Sequence, residues 1–333
     1  MNAMVLCAGY GTRLHPLTGT VPKPLVRIAG ITLLDDILDH LASQGVTLAV
    51  VNGSWLSPLV REHLARRTRP PATVFQHEET PLGTAGAVRR ALPLLGDRFV
   101  VAYGDNLTRQ PVEPLLALHA ALGAEATIAL SPTGDPSSKG IVLADPRGLV
   151  TSFREKPPPE LADSNLANSG LLVCEASCVD GLEDGEFSDF GLDVFPSLLA
   201  SGRRIAADTP GGYTIDVGTP ESYLLACHHM LSGVVPPIPG GTVPPAGRLL
   251  ESPAGDGVTM LGTAWLGRSV RIGPGTVLEN CVVLDGATVG AGCSLKNALV
   301  LPGGSVPPGT DSADKYMNVF GLEDDARRDP HLP

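Results

Sequence analysis

A glycine-rich loop near the amino terminus carries two cations suited to binding phosphate. Residues 6–14 read Leu-Cys-Ala-Gly-Tyr-Gly-Thr-Arg-Leu, and residues 22–25 read Pro-Lys-Pro-Leu. Glycines let backbone N–H groups approach phosphate oxygens, while Arg13 can bind two phosphate oxygens and Lys23 adds a second positive charge. The pattern is not a dinucleotide fingerprint, since Leu14 stands at the third glycine position, and no Gly-Lys-Ser/Thr of a Walker loop follows. The loop therefore predicts phosphate binding of another kind.

Carboxylates and a charged segment farther along the chain could serve the same chemistry. Asp105 follows the apolar run 99–103, and a carboxylate at a strand end could bind a metal or simply form a turn. The run Arg-Glu-Lys at residues 154–156 would usually be a solvated charge cluster. It is followed by Pro157 and then by Asn-Ser-Gly at residues 168–170, and this context favours a binding site.

The elements that must position these residues alternate between strands and helices. The apolar patterns predict strands at Ala3–Cys7, Leu48–Val51, Thr73–Gln76 and Phe99–Tyr103, and helices at Leu33–Leu41, Pro58–Ala65 and Ala85–Leu95. This rhythm predicts an α/β fold with right-handed crossovers and a Rossmann-like mixed, mostly parallel sheet. Ligands bind beyond the carboxyl ends of such strands. We therefore expect the loops after Cys7 and after Tyr103 at one edge of the sheet.

The composition changes near residue 233. The stretch 233–258 is rich in proline and glycine and predicts a linker after a catalytic domain at 1–232. Apolar residues then recur every six positions, with a slip of one residue halfway: Met260, Leu266, Ile272, Leu278, Val283, Val289, Leu295 and Leu301. A six-residue hexapeptide period predicts a small left-handed parallel β-helix over 259–310, rather than an ordinary glycine-rich β-segment. The charged residues 311–333 predict a surface tail or short helix.

These segments together resemble the sugar-1-phosphate nucleotidyltransferases, also called NDP-sugar pyrophosphorylases. The hallmark of that family runs Gly-x-Gly-Thr-Arg-Leu-x-Pro-Leu-Thr and then Pro-Lys-Pro-Leu, which matches residues 9–18 and 22–25. Ala8-Gly9 replaces the frequent Gly-Gly pair. The resemblance covers residues 2–232, implies the nucleotide-diphospho-sugar transferase fold, and suggests a helix at Asp189–Leu199. A β-helical tail occurs in part of the family.

The resemblance also implies roles for individual residues. The expected catalytic residues are Arg13 and Lys23 on the triphosphate and Lys156 on the sugar phosphate. The expected nucleotide-binding residues are Cys7, Ala8, Gly9, Gly11, Thr12, Gln76, Pro81, Leu82, Gly83 and Thr84. The expected sugar-phosphate-binding residues are Asp105, Gly140, Glu155, Lys156 and Asn168. Thr84 could at the same time cap the helix that follows it.

A divalent metal is implied by two of the matching aspartates. Asp105 and Asp216, the latter within Asp-Val-Gly-Thr-Pro, correspond to the metal ligands of the family. Between them they are expected to hold one Mg²⁺, which would neutralise the α-phosphate and the sugar phosphate as these anions approach each other.

The implied reaction converts an NTP and a sugar 1-phosphate into an NDP-sugar and pyrophosphate. GTP with a mannose- or heptose-like 1-phosphate is the preferred interpretation, because the Leu-Gly-Thr-Ala-Gly segment, the Asn-Ser-Gly segment and the β-helix look most like mannose-1-phosphate guanylyltransferases. Residues 51–56 look more like uridylyltransferases acting on amino-sugar phosphates. Uridylyl, thymidylyl or adenylyl transfer to a hexose, amino-sugar or cyclitol 1-phosphate therefore stays open.

Two other functions are less compatible with the sequence. Hexapeptide acyltransferases generally use a histidine base, and none lies between His229 and His331. A non-catalytic regulatory subunit would be expected to have lost Arg13, Lys23 or a metal aspartate, and all of these are present.

Composition limits the partners and the compartment. The 333 residues carry a formal net charge of −11, with 35 acidic and 24 basic residues, which argues against binding nucleic acid. No apolar run is long enough for a membrane span and no signal peptide is evident, so a cytoplasmic protein is expected. The six cysteines form no Cys-x-x-Cys pair, which argues against zinc. The flat faces of a β-helix favour a homo-oligomer.

Overall fold

The computed structural model describes residues 1–312 and 318–321, which form two compact units. The first unit comprises residues 1–10 and 33–215, and the second comprises residues 11–32 with the described residues from 216 onward. The chain thus leaves the first unit inside the predicted phosphate loop and returns to it at Leu33. Most of the predicted tail at 311–333 lies outside the described residues.

Strands and short helices account for most of the described chain. The strands are β1 Asn2–Leu6, β2 Arg27–Ile28, β3 Ile31–Thr32, β4 Leu48–Gly53, β5 Ala72–His77, β6 Arg98–Tyr103, β7 Asn106–Thr108, β8 Ala126–Pro132, β9 Gly140–Ala144, β10 Val150–Glu155, β11 Leu166–Glu175, β12 Ile205–Asp208, β13 Thr214–Asp216, β14 Arg248–Leu250, β15 Thr259–Leu266, β16 Arg271–Ile272, β17 Val277–Val283, β18 Thr288–Val289, β19 Ser294–Lys296, β20 Ala298–Val300, β21 Ser305–Val306 and β22 Asn318–Phe320. The α-helices are α1 Leu33–Ser43, α2 Ser57–Arg66, α3 Gly83–Leu95, α4 Glu113–Leu122, α5 Phe195–Ala200 and α6 Pro220–Ser232. Single 3₁₀ turns include Thr12–Leu14 and Lys23–Leu25, and a π-helix spans Phe190–Val194.

A mixed, mostly parallel sheet forms the first unit, as the alternating pattern predicts. Within the described residues its main path runs β10-β9-β11-β6-β1-β4-β5, with β8 on β11 and β12 on β8. The strands β6, β1, β4 and β5 are mutually parallel, whereas β11 runs antiparallel to β6, β8 and β9. The carboxyl ends of β1, β4, β5 and β6 therefore share one edge, which is where an open α/β sheet binds ligands.

Small apolar residues allow α3 to lie close to this sheet. Ala85, Val88, Ala91 and Leu95 recur at helical spacing and are buried in the core cluster beside β1 and β4. Burying such side chains stabilises the fold by roughly 1.5–3 kcal/mol for each large one. The packing fixes the amino-terminal end of α3 at the ligand edge of the sheet.

The prediction that Thr84 caps α3 is wrong. The helix begins at Gly83, one residue before Thr84, and Leu82 at the capping position makes no side-chain cap. The Thr84 hydroxyl instead donates to Asp189 Oδ2 at 2.9 Å and accepts the Phe190 N–H at 2.9 Å. The Thr84 hydroxyl therefore forms its hydrogen bond with a residue 105 positions away in the chain instead of with the backbone of its own helix.

Parallel strands of the second unit stack in three-sided coils, which is compatible with the predicted β-helix. One side contains β14, β15, β17, β20 and β22, and another contains β16, β18 and β21. β17 contributes to two sides: its last residues pair with β20 on the first side, and its first residues pair with β19 on the third side. β14 lies inside the predicted linker, and β22 lies inside the predicted tail.

The coil length corrects one residue of the predicted register. Leu266 pairs with Val283, which pairs with Val300, so each coil advances 17 residues along the chain. Because 17 is not a multiple of six, one side of each coil is five residues long. The interior cluster therefore contains Val300 and then Val306, where the six-residue period had placed Leu301.

Two further observations concern the whole described chain. All six cysteines are buried. No helix among residues 1–312 and 318–321 combines the length and apolar character needed to cross a membrane.

Candidate active site

The phosphate-loop residues of the second unit are held by a close approach around Gly11. This glycine adopts φ +67°, and a Cβ there would lie 3.2 Å from both Lys23 Cβ and Thr18 Cγ2. The buried Thr18 hydroxyl donates to Gly11 O at 2.8 Å. Leu14 is fully buried and closes the turn by donating to the same carbonyl at 3.0 Å. Only glycine satisfies both the left-handed backbone and the space at residue 11.

Two predicted catalytic cations lie on the carboxylate of Asp216. Lys23 Nζ is 3.4 Å from Oδ1, and an Arg13 guanidinium nitrogen is 3.6 Å from Oδ2. The Lys23 side chain is only 9% exposed, whereas that of Arg13 is 66% exposed. Lys23 is thus a positioned charge, while Arg13 is accessible for binding an anion. The second unit brings together three of the charged residues that the sequence predicted for phosphate and metal.

A buried carboxylate organises the ligand edge of the first unit. Glu78 is 1% exposed and accepts hydrogen bonds from Asn52 Nδ2 at 2.8 Å, Gln76 Nε2 at 3.3 Å and Leu82 N at 3.0 Å. Asn52 Oδ1 in turn accepts the N–H of Cys7 at 2.6 Å. Since a buried carboxylate needs such donors, the network ties the end of β1 to the predicted base-binding segment. Gln76 uses its amide nitrogen inside this network, so its carbonyl oxygen is the group suited to a nucleobase N–H.

The predicted base-binding segment is also hydrogen-bonded to the segment before α5. Gly83 has φ +75°, and a Cβ there would clash with the carbonyl of Ser188. The N–H groups of Ala85 and Gly86 both donate to that carbonyl, at 2.9 and 3.0 Å. Together with the Thr84–Asp189 hydrogen bond, these contacts join the predicted nucleotide-binding residues 81–84 to the segment that packs on Glu155, a predicted sugar-binding residue, within the first unit.

Glu155 sits in a cradle between two glycines at the end of β10. A Cβ on Gly140 would lie 2.8 Å from Glu155 Oε2, and one on Gly191 would lie 2.6 Å from the same oxygen. Lys156 Nζ is 3.6 Å from Oε1. Burial raises the pKa of the Glu155 carboxyl and Asp189 adds to the effect, while Lys156 opposes it. The two glycines therefore make room for the Glu155 carboxylate itself, and the exposed Lys156 supplies a nearby positive charge.

Tyr103 is surrounded by the remaining sugar-side residues. Burial raises the pKa of its hydroxyl, and the charges of Asp189, Glu155 and Asp105 raise it further, while a hydrogen bond with Asn168 lowers it. Asn168 Oδ1 also accepts the Gly170 N–H at 2.9 Å. Asp105 lies between β6 and β7, half-buried at the ligand edge. The first unit thus gathers Asp105, Glu155 and Asn168 around a single phenol.

Sequence reasoning missed three residues that organise these contacts. Glu78 was overlooked because it stands beside Glu79 in a polar stretch after β5 with no local signal of burial, and Tyr103 was treated only as a strand residue. Asp189 was assigned to a helix, but its carboxylate caps the π-helix by accepting the Gly191 and Leu192 N–H groups. Asp189 directly before an apolar helix is a capping signal that could have been recognised. No group of three or more His, Cys, Asp or Glu residues suited to a metal occurs in the described part of the chain.

Comparisons with known proteins show which family the chain resembles. The family model described as nucleotidyl transferase matches residues 2–233. Mannose-1-phosphate guanylyltransferase of Mycobacterium tuberculosis is 31% identical over 294 residues, covering 87% of this chain and 81% of that protein. UTP–glucose-1-phosphate uridylyltransferase of Synechocystis is 30% identical over 315 residues, again covering 87% of this chain and 81% of the relative.

A solved structure shares the fold of most of this chain. The crystal structure of HddC from Yersinia pseudotuberculosis, complexed with GMP-PN, matches with a TM-score of 0.58 and 26% identity. The match covers 68% of this chain and 97% of the HddC chain.

Proposed function

The chain belongs to the nucleotidyl transferase family, and we propose that it transfers the guanylyl group of GTP to a mannose- or heptose-like 1-phosphate. The class of reaction is sugar-1-phosphate nucleotidyl transfer: an NTP and a sugar 1-phosphate give an NDP-sugar and pyrophosphate. Guanine as the base is supported by the mannose-1-phosphate guanylyltransferase relative and by the HddC complex with GMP-PN. The observation that carries the chemistry is the pair of cations, Arg13 and Lys23, on one carboxylate beside a glycine turn.

The second candidate is uridylyl transfer to glucose 1-phosphate. It is supported by the Synechocystis relative, which covers as much of this chain as the guanylyltransferase does. The Gln76 carbonyl oxygen suits an N–H donor of either guanine or uracil, so this residue does not separate the two bases.

The proposed mechanism needs charge and position rather than a base. An oxygen of the sugar phosphate attacks the α-phosphorus in line, the bond to the β-phosphate oxygen breaks, and pyrophosphate leaves with that electron pair. Nucleophile and leaving group are already anionic, so no proton has to move in the bond-making step. Arg13 and Lys23 would hold the departing phosphates, Lys156 the sugar phosphate, and Glu155 and Asn168 the sugar hydroxyls.

Mg²⁺ is the proposed cofactor, with Asp105 and Asp216 as its protein ligands. Mg²⁺ is usually bound by one or two carboxylates, with substrate phosphates and water completing the octahedron. Two protein carboxylates are therefore sufficient for the proposed Mg²⁺ site. When bound, the metal would neutralise phosphate charge and so lower the barrier to the approach of two anions.

Replacing Asp105 by alanine is expected to weaken metal binding in the presence of nucleotide. The concentration of Mg²⁺ for half-maximal activity should rise at least about 10-fold, by analogy with the loss of other groups that support a metal. Electron paramagnetic resonance of Mn²⁺ titrated with nucleotide measures the same affinity without turnover. Asp184→Ala removes an exposed aspartate of the same unit and should change neither value. Equal metal affinity in the two variants would remove Asp105 from the proposed ligands.

Replacing Glu155 by glutamine is expected to separate stability from sugar binding. A raised carboxyl pKa means that the ionised form is penalised in the fold, and this penalty applies above the folded pKa and disappears as pH falls through it. At neutral pH the variant should therefore unfold at the same or a higher temperature than the wild type, and the difference should shrink as pH falls toward the ordinary glutamate pKa of about 4.3. The KM for the sugar phosphate should rise about 10-fold, because a hydrogen bond to a charged carboxylate is replaced by a weaker one to a neutral amide. A lower unfolding temperature with unchanged KM would contradict both assignments.

A substrate panel tests the proposed function directly. The purified protein is incubated with each of GTP, UTP, dTTP and ATP, paired with mannose, heptose, glucose, amino-sugar and cyclitol 1-phosphates, and pyrophosphate release is measured. The proposal expects the highest kcat/KM with GTP and a mannose- or heptose-like phosphate. A preference for UTP with glucose 1-phosphate would establish the second candidate instead. Absence of release with every pair would favour a regulatory subunit.

A homo-oligomer formed through the β-helix is also proposed. Leu250 on β14 and Leu261 on β15 are 45% and 47% exposed, and such apolar side chains on a flat strand face suit contact with another copy. A monomeric mass by light scattering would overturn this proposal.

A further inference from the structure

Arg27 connects the phosphate-loop segment to the first coils of the β-helix. Its guanidinium lies 2.5 Å from Glu251 Oε1 and 3.5 Å from Asp285 Oδ2, and it stacks on the ring of Trp265 at 5.4 Å from the centroid. It also donates to Gly30 O at 3.2 Å. We call Arg27, Glu251, Trp265 and Asp285 the anchor cluster. All of its members belong to the second unit.

Both carboxylate oxygens of Glu251 have hydrogen-bond partners within the anchor cluster. The indole N–H of the fully buried Trp265 donates to Glu251 Oε2 at 3.0 Å, so that both carboxylate oxygens are engaged. Burial alone would raise the pKa of Glu251, but the hydrogen bonds from Arg27 and Trp265 hold it below its usual range. The Arg27 guanidinium donates through two nitrogens to Gly30 O, stacks on Trp265 and pairs with Glu251, which the indole also holds. These contacts fix its position more narrowly than one ion pair would.

The backbone around Arg27 is held by separate contacts. The hydroxyl of the buried Tyr223 donates to Arg27 O at 2.8 Å. Three residues later, a Cβ on Gly30 would lie 2.7 Å from Leu249 Cδ2, so β14 packs directly on this turn. Helix α6 and the first strand of the coils therefore hold the segment from both sides.

Only a short, ordered stretch separates the anchor cluster from Lys23. Residues Lys23–Leu25 form a 3₁₀ turn, and Val26 N donates to Lys23 O at 3.1 Å. Val26 and Ile28 are buried on either side of Arg27. A displacement of Arg27 would be transmitted to Lys23 because this stretch has no slack residue to absorb it.

We propose that the anchor cluster is a positioning device for nucleotidyl transfer, through which Glu251 and Trp265 set the place of Lys23. Neither residue touches the substrate in this scheme. The first coils of the β-helix are then a working part of the phosphate site, and Arg27, Glu251 and Trp265 are positioning residues. The expected effect on catalysis rests on the proposed function, whereas the expected effect on the order of residues 11–26 does not.

Hydrogen–deuterium exchange of residues 11–26 in the full-length protein tests the structural consequence without turnover. Glu251→Ala should raise exchange in this segment. Glu279→Ala is the matched control, because Glu279 pairs with Lys296 at 2.8 Å in the same β-helix and is not in the anchor cluster. Exchange in residues 11–26 that stays at the wild-type level in Glu251→Ala, even with a lowered unfolding temperature, would overturn the proposal.

Steady-state kinetics test the catalytic consequence, with each variant assayed well below its unfolding temperature. Glu251→Gln and Arg27→Met should each lower kcat/KM by up to about 10²-fold, the cost of a displacement of about 1 Å in a catalytic group. The double variant should be no worse than the worse single one, since both act through one contact. Glu279→Ala should keep wild-type kinetics. Wild-type kcat/KM in both single variants would overturn the positioning role, whereas an inactive wild-type protein would refute the proposed function and leave the exchange experiment to decide the anchor.

Discussion

Lys23→Met is expected to lower kcat about 10²–10³-fold, the usual cost of removing one preorganised charge that stabilises a transition state. The substitution keeps the length and the apolar stem of the side chain, so the packing against Gly11 and the burial are largely retained. It removes only the ammonium group that lies 3.4 Å from Asp216. Pyrophosphate release under saturating substrate measures the effect, and the unfolding temperature establishes that the fold is intact.

Lys296→Met provides the matched control. It makes the same substitution in the same unit, at a half-exposed lysine that pairs with Glu279. Its kcat should stay at the wild-type level. Similar losses in the two variants would mean that Lys23 acts through general stability and not through the phosphates.

Asp36→Ala is expected to have the largest effect on stability, a loss of roughly 3–5 kcal/mol in the free energy of unfolding. Asp36 on α1 receives a two-pronged contact from Arg109, at 2.8 and 2.7 Å, and their side chains are 3% and 8% exposed. Removing the carboxylate leaves the buried guanidinium without its main counter-charge. Urea unfolding followed by circular dichroism measures the change.

Two comparison variants make this result interpretable. Glu62→Ala breaks the exposed Glu62–Arg66 pair of α2 and should cost about 0–1 kcal/mol. The double variant Asp36→Leu with Arg109→Met replaces the pair by apolar side chains and should recover most of the lost stability. If Asp36→Ala cost no more than Glu62→Ala, burial of the pair would not be the source of its strength.

The buried Asp36–Arg109 pair also bears on the candidate site. Arg109 directly follows β7, and its backbone N–H donates to Tyr213 O at 2.7 Å. Asp105 precedes β7 by one residue. We therefore expect Asp36→Ala to reduce activity at temperatures where the protein is still folded, because the support of the Asp105 loop is weakened.

The strands and helices that carry the site could be predicted because their signals are local. The buried run ending at Cys7, the helical spacing from Leu33 to Leu41 and the apolar run before Asp105 each need only a few neighbouring residues to be recognised. The grouping of Glu155 with Gly140 also followed from a family resemblance in short segments. The roles assigned to the site residues remain predictions that the variants above address.

The features that could not be predicted depend on distant partners. The Thr84 hydroxyl was expected to serve its own helix, but it donates to Asp189, and the Ala85 and Gly86 N–H groups at the start of that helix donate to the Ser188 carbonyl. Leu301 fitted a six-residue period that the 17-residue coil interrupts. Arg27 looks like an ordinary strand residue, and its partner Glu251 is 224 residues away in the chain. No local pattern contains that information.

Both expected ligands, the nucleotide and the metal, would disrupt the contacts between Asp216 and the two cations Arg13 and Lys23. Polyphosphate oxygens compete with the Asp216 carboxylate for Arg13 and Lys23, and a divalent cation competes with Arg13 and Lys23 for its oxygens. Each ligand removes the competitor of the other, so nucleotide and metal are expected to bind with positive cooperativity. Since a coupling free energy is reciprocal, the factor by which the metal tightens the nucleotide must equal the factor by which the nucleotide tightens the metal.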